Sequence, residues 1–278
     1  MTDERASLLL ALCVAASGCL PAETRARPGT LTVSVAATFD SGESFESDDG
    51  WTVSLEHTYA HVGRVELGGS ECDAYSEASY SRLLDLSRDE PQRLSLLFGL
   101  GRCSFSFAVG PPRWNTVVGE AVPAEVEERF RTPGSDGETE GGVSLYIEGR
   151  AQRQDKVVRF AWPLRARLAL DDCRLDEPAG PIVLSSGVEQ PVELRLDTLE
   201  LLRDQTGALL FDPFADAAQS AASPDDDLGL EELTSAPGAG AETLFQELYY
   251  TRLRRIAGVT GGACTARVES CAGGGCDD

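Results

Sequence analysis

The sequence predicts a mainly β chain, an antiparallel β-sandwich or partly open barrel with a C-terminal helical appendage. Two observations predict it. From Thr30 to about Asp197, apolar and polar residues alternate with period two in run after run, with no crossover helix between them. Beyond Leu199 the alternation stops and apolar residues recur at helical spacing.

In the first run Leu31, Val33, Val35, Ala37 and Phe39 share a face opposite Thr30, Thr32, Ser34 and Thr38. The turn-like stretch SGESFESDDG leads into a long run, Trp51 to Leu67. Cys103, Phe105, Phe107 and Val109 then oppose Arg102, Ser104 and Ser106. Val143, Leu145 and Ile147 oppose Ser144, Tyr146 and Glu148. Phe160, Trp162, Leu164, Leu168 and Leu170 oppose Arg159, Arg165 and Arg167, and Val188, Val192, Leu194 and Leu196 oppose Glu189, Glu193 and Arg195. One apolar and one polar face per run is the pattern of antiparallel sheets wet on one side. Residues 111–142, rich in Pro, Gly and acids, read as a long surface loop.

The last 80 residues read as an acidic appendage with a Cys-rich tail. Asp204 to Thr251 holds ten acids and no Lys or Arg. A helix is expected over Glu242 to Ile256, carrying Phe245, Leu248, Tyr249, Arg252, Leu253 and Ile256 at helical spacing. Arg252, Arg254 and Arg255 complement its C-terminal dipole, and Gly258, Gly261 and Gly262 end it. The expected organisation is a leader over 1–18, a tether over 19–29, a sandwich over 30–200 and the appendage over 201–278.

The leader sets the compartment. Ala6 to Ser17 is an uncharged, mostly apolar stretch of 12 residues, the length of an export signal and short of the roughly 20 needed to span a bilayer. It ends in Ala16-Ser17-Gly18-Cys19, which resembles the lipobox of bacterial lipoproteins, although Ala16 stands where Leu is usual and Asp3 and Glu4 make the start acidic. The resemblance implies cleavage before Cys19, a diacylglyceryl group on its sulfur and anchoring in a membrane of the cell envelope. Leu20, in place of an Asp after the Cys, implies the outer membrane. A plain secretory signal cut near Ala16 is the alternative.

Charge excludes a class of partners. The formal net charge is −22, and residues 1–18 contribute two acids and one Arg, so the chain from Cys19 onward carries −21. A phosphate backbone would be repelled, so no nucleic-acid partner is expected. Lys156 is the only lysine among 24 basic residues.

Cys13 leaves with the leader and Cys19 takes the lipid, leaving Cys72, Cys103, Cys173, Cys264, Cys271 and Cys276. An even number in an oxidising compartment predicts disulfides, and six cysteines allow 15 pairings. The expectation is one bridge among Cys264, Cys271 and Cys276 and another involving Cys72, Cys103 or Cys173. No C-x-x-C pair occurs, which argues against a thioredoxin-like site or a zinc ribbon.

The only two histidines, His57 and His61, sit in the run WTVSLEHTYAHVGRVEL. Unbroken alternation puts them on one face with Trp51, Val53, Leu55, Tyr59, Val65 and Leu67. Four residues of extended strand separate them by about 13 Å, too far to chelate one ion without a bulge. Copper or zinc at this pair is the one metal reading; two structural histidines flanking Tyr59 is the other. No cofactor is otherwise indicated. The acidic segment SPDDDLGLEEL resembles a decayed EF-hand loop ending at Glu232, with Ala221 and Ser223 in place of the first two ligands, so tight Ca²⁺ binding is not expected. No G-x-S-x-G, H-E-x-x-H, G-x-x-x-x-G-K-[ST] or G-x-G-x-x-G occurs, and the chain reads as non-enzymatic.

In layout the chain resembles a group of largely uncharacterised bacterial lipoproteins. The resemblance lies in Asp49-Gly50-Trp51-Thr52-Val53, Val62-Gly63-Arg64-Val65-Glu66-Leu67 and Glu231-Glu232-Leu233. More distantly it is similar to secreted β-sandwich proteins associated with methanobactin-type copper acquisition, whose copper ligands include His and a modified Trp. That likeness implies Trp51, His57 and His61 as candidates. The combined expectation is a lipid-anchored, non-enzymatic binding or structural protein, with copper handling as the alternative.

Overall fold

The computed structural model describes residues 26–38, 43–75, 80–88, 90–132, 142–176, 179–220, 227–229, 244 and 247–269. Cys19, Cys271, Cys276, the leader and most of the EF-hand-like segment lie outside them. The fold is mainly β, as expected of a sandwich or partly open barrel.

The strands in chain order are β1 (Gly29–Ala37), β2 (Ser44–Glu46), β3 (Thr52–Ala74), β4 (Tyr80–Asp85), β5 (Gln92–Val109) and β6 (Val117–Val118). After helix α1 (Ala124–Arg131) come β7 (Leu145–Arg153), β8 (Lys156–Leu164), β9 (Arg167–Asp176), β10 (Ala179–Gly180), β11 (Ile182–Leu184) and β12 (Glu189–Leu196). A 3₁₀ turn (Thr198–Leu201), helix α2 (Asp212–Ser220), β13 (Asp227–Gly229), two short helical turns over Leu248–Arg255, β14 (Ala257–Val259) and β15 (Gly262–Glu269) complete the described elements.

The main path of the sheet is β13-β8-β7-β3-β5-β1-β12-β14. Pairing is mostly antiparallel, but β1 with β12, β4 with β6 and β13 with β8 run parallel. Long β5 organises the rest: its first half pairs with β1, and its second half with β9. The main core includes Leu31, Val33, Val35, Phe105, Phe107, Trp162 and Leu194, all at most 2% exposed. The alternation in β1 and β12 places these apolar rows inward as expected, except that Val188 precedes β12 and is exposed.

Two expectations change. Residues 111–142 are not loop alone: α1 packs Val126 and Phe130 over Tyr59, Leu83, Val143 and Tyr146, forming a second small core. Hence Val143 to Ile147 are buried on both faces of their strand. The chain beyond Ile256, expected to be a Cys-rich tail of the appendage, returns to the sheet as β14 against β12 and β15 against β9.

The expected helix survives in part. Leu248–Arg252 forms a π-turn and Leu253–Arg255 a 3₁₀ turn, with Leu248, Leu253 and Ile256 in the main core. Arg252 is not an exposed dipole partner. It is 2% exposed, donates to the Leu201 carbonyl at 3.0 Å and pairs with Glu247 at 3.2 Å.

Candidate functional site

Strand β3 carries both histidines, and two irregularities decide where they point. The pairing with β7 shifts register between Leu55 and His57, so Glu56 is an extra residue. The pairings with β4 and β5 shift again just after Gly63, where Arg64 adopts a left-handed φ of 51°. Each inserted residue reverses which parity faces inward. Trp51, Val53 and Leu55 therefore face the main core, then Ala60 and Val62 take over, then Val65. The expected single face from Trp51 through Leu67 does not exist. Tyr59 instead belongs to the second core.

His57 is exposed and stacks on Tyr59, with ring centroids 5.9 Å apart. Tyr59 stacks in turn on Tyr146, and the Arg129 guanidinium lies 4.4 Å from the Tyr146 ring centroid. The Tyr146 hydroxyl donates to Glu148 at 2.7 Å, and burial together with that carboxylate pushes its pKa to about 12.

His61 is 4% exposed and saturated by protein groups. Its Nδ1 lies 2.5 Å from the Gly110 carbonyl, which can only accept, so the ring proton sits on Nδ1. Nε2 is then an acceptor, facing the Ser81 hydroxyl at 2.5 Å and Thr116 Oγ1 at 3.1 Å. Thr116 also accepts from the Arg113 backbone N–H, fastening the loop after β5. Burial lowers the His61 pKa to about 4, with Arg113 and Arg131 adding to the effect against the Gly110 hydrogen bond. Gly63 permits this packing: a Cβ there would stand 3.2 Å from Ser81 Cβ.

A serine hydroxyl on a neutral imidazole is the start of a nucleophilic pair. Here the pair is shut in. Ser81 is 9% exposed, and His61 is oriented by a main-chain carbonyl. Two clefts, of about 430 Å³ beside Glu127 and Arg131 and about 620 Å³ beside Ser34 and Glu193, do not include Ser81 or His61 in their walls. The arrangement can bolt β3, β4 and the loop after β5 together.

The structure does not bring His57 and His61 into one ligand set. Among the described residues no group of three or more His, Cys, Asp and Glu side chains is placed to hold a metal. Trp51 is also committed: it is fully buried, its Nε1 donates to Asp212 at 2.9 Å, and Arg153 lies over its ring. The Asp49-Gly50-Trp51 motif is structural, because Asp49 Oδ2 accepts from the backbone N–H groups of Phe211 and Asp212 at the start of α2. Its partners lie more than 160 residues away, so no local signal pointed to them.

Two disulfides join described cysteines, Cys72 to Cys103 and Cys173 to Cys264. The first staples β3 to β5, as one of the expected sandwich bridges. The second takes Cys264 out of the expected tail bridge and ties β15 to β9. Any bridge within the tail falls to Cys271 and Cys276, outside the described residues.

No family model matches the chain, and no curated protein matches it. Among solved structures it is similar to MbnP from Methylosinus trichosporium, at 13% identity over 64% of this chain and 78% of that one, with a TM-score of 0.31.

Proposed function

We propose that this chain is an exported, non-enzymatic lipoprotein, a binding or structural module held in the outer membrane by a lipid on Cys19. The disulfides carry the reading. Two buried or half-buried bridges between strands are the chemistry of an oxidising compartment and are rare where thiols are kept reduced. They agree with a leader that ends in Ala16-Ser17-Gly18-Cys19. The enclosure of the Ser81–His61 pair supports a role without catalysis. Stable attachment needs more than one acyl chain, which lipoprotein maturation would supply.

The test is metabolic labelling with palmitate, together with fractionation. Wild type is expected in the membrane fraction with label, and Cys19→Ala as an unlabelled precursor or soluble protein. A Cys19→Ala protein that stays in the membrane, with no label on wild type, overturns the reading.

A further inference from the structure

The large apolar side chains exposed on this protein are unevenly placed. Seven are exposed among the described residues, and four of them (Tyr75, Phe98, Val183 and Val188) surround the point where the chain enters β1. Thr30 pairs with Phe98 across β1 and β5 and donates its backbone N–H to Val188 at 2.9 Å. The Tyr75 N–H donates to the Phe98 carbonyl at 2.8 Å, which sets Tyr75 beside Phe98. β11 continues along the same edge of β5, with Val183 opposite Arg102 and Leu184 opposite Gly101. Pro28 is held in this frame by the Gly187 N–H. The four residues are between 37% and 52% exposed.

We infer that this face is a membrane-contact surface that rests on the lipid bilayer in which Cys19 is anchored. The inference depends on the lipoprotein reading. Little chain separates the anchor from the patch. Cys19 precedes Pro28 by nine residues. Nine residues reach at most about 32 Å fully extended. A surface so close to its anchor meets lipid at high effective concentration, so contacts too weak to bind alone become occupied. Tyr and Phe suit the boundary between headgroups and acyl chains, and the aliphatic pair adds apolar area. The net charge of −21 from Cys19 onward disfavours an anionic surface, so the lipid in contact is zwitterionic.

The opposite end of β5 provides an internal control. Trp114, 91% exposed, follows the end of that strand. From Gly99 to Val109 is ten residues, about 33 Å of extended strand. The other two tryptophans, Trp51 and Trp162, are at most 1% exposed.

The experiment uses full-length lipidated protein reconstituted into phosphatidylcholine vesicles with brominated acyl chains, as wild type and as Phe98→Trp in a Trp114→Phe background. Far-UV circular dichroism verifies the fold. The indole introduced at position 98 is expected to shift its emission to shorter wavelength and lose intensity to the bromines. Adding Val183→Ser and Tyr75→Ser is expected to reduce both effects, and Trp114 in wild type is expected to stay unquenched. Labelled palmitate with unchanged indole emission overturns this inference and leaves the anchor standing. Quenching of Trp114 in place of the introduced indole overturns it too. Absence of palmitate from the wild type overturns the anchor and, with it, this inference.

Discussion

Trp51 and Asp212, 161 residues apart in the chain, are joined by a 2.9 Å hydrogen bond from the indole N–H to the carboxylate. Arg153 completes the unit, 2.7 Å from the same carboxylate oxygen and stacked over the indole. The bond lowers the Asp212 pKa below the usual carboxylate range. Behind it, Trp51 packs on Phe211, with ring centroids 5.3 Å apart. The contact locks the start of β3 to α2 and joins the first third of the chain to its last.

Trp51→Ala is expected to cost about 3–5 kcal/mol through the cavity left in the main core. Trp51→Phe keeps most of the volume but strands the carboxylate–arginine pair without its indole donor, and should cost about 1–2 kcal/mol. Urea unfolding at neutral pH measures both. Similar values for the two variants would show that the hydrogen bond, not the packing, carries the stability.

His61 makes stability depend on pH. Its folded pKa, near 4, lies below the 6.5 of an unperturbed histidine, so the fold keeps it neutral while the unfolded chain takes up a proton. The stability from this residue is therefore complete above about pH 6.5, falls as pH drops and reaches its floor near pH 4. The span corresponds to about 3 kcal/mol at 1.36 kcal/mol per pKa unit. His61→Gln should remove this part of the slope, although Asp and Glu keep their own. Parallel unfolding curves for the two proteins between pH 6.5 and 4 would contradict the assignment.

The same saturation of His61 bears on metal. Cu(I), Cu(II) and Zn²⁺ titrated calorimetrically into wild type and into the His57→Ala/His61→Ala double variant should give equal, weak heats. Binding by wild type that the double variant lacks would contradict this and would place the metal on exposed His57, or on His61 only after β3 rearranges, because His61 has no ring nitrogen to spare.

Removing the two disulfides should not cost the same. Cys173–Cys264 closes a loop of 91 residues and Cys72–Cys103 one of 31. Loop-closure entropy gives about 4.6 and 3.7 kcal/mol as upper values. The Cys173→Ala/Cys264→Ala protein is expected to be the less stable in urea, with β15 the first strand to exchange its amides. Equal midpoints for the two double variants would point to enthalpic effects in place of chain entropy.

Gly101 tests the close approach of β3 and β5 next to the first disulfide. It has a φ of +97°, and a Cβ there would stand 2.1 Å from the Glu71 carbonyl oxygen. Gly50, at φ +82°, has nothing within 4 Å of such a Cβ. Gly50→Ala should cost about 1 kcal/mol, the price of the left-handed backbone alone. Gly101→Ala should cost more, read as a larger fall in urea midpoint, because backbone has to move.

The class of fold was legible in the sequence because period-two alternation is local: each strand displays in its own residues which face is apolar. β1 and β12 face the core as their patterns require. What tertiary structure alone decided begins at β3. Bulges at Glu56 and Arg64 each add one residue and reverse the inward face, and neither residue type announces a bulge. So His57, Tyr59 and His61 part company with Trp51, and His61 finds Gly110, Ser81 and Thr116, partners 20 to 55 residues away. The choice of Cys173 for Cys264 likewise waited on β15 pairing with β9. Alternation records which side of a strand is apolar, but the partner across a sheet is set by long-range packing that no local pattern encodes.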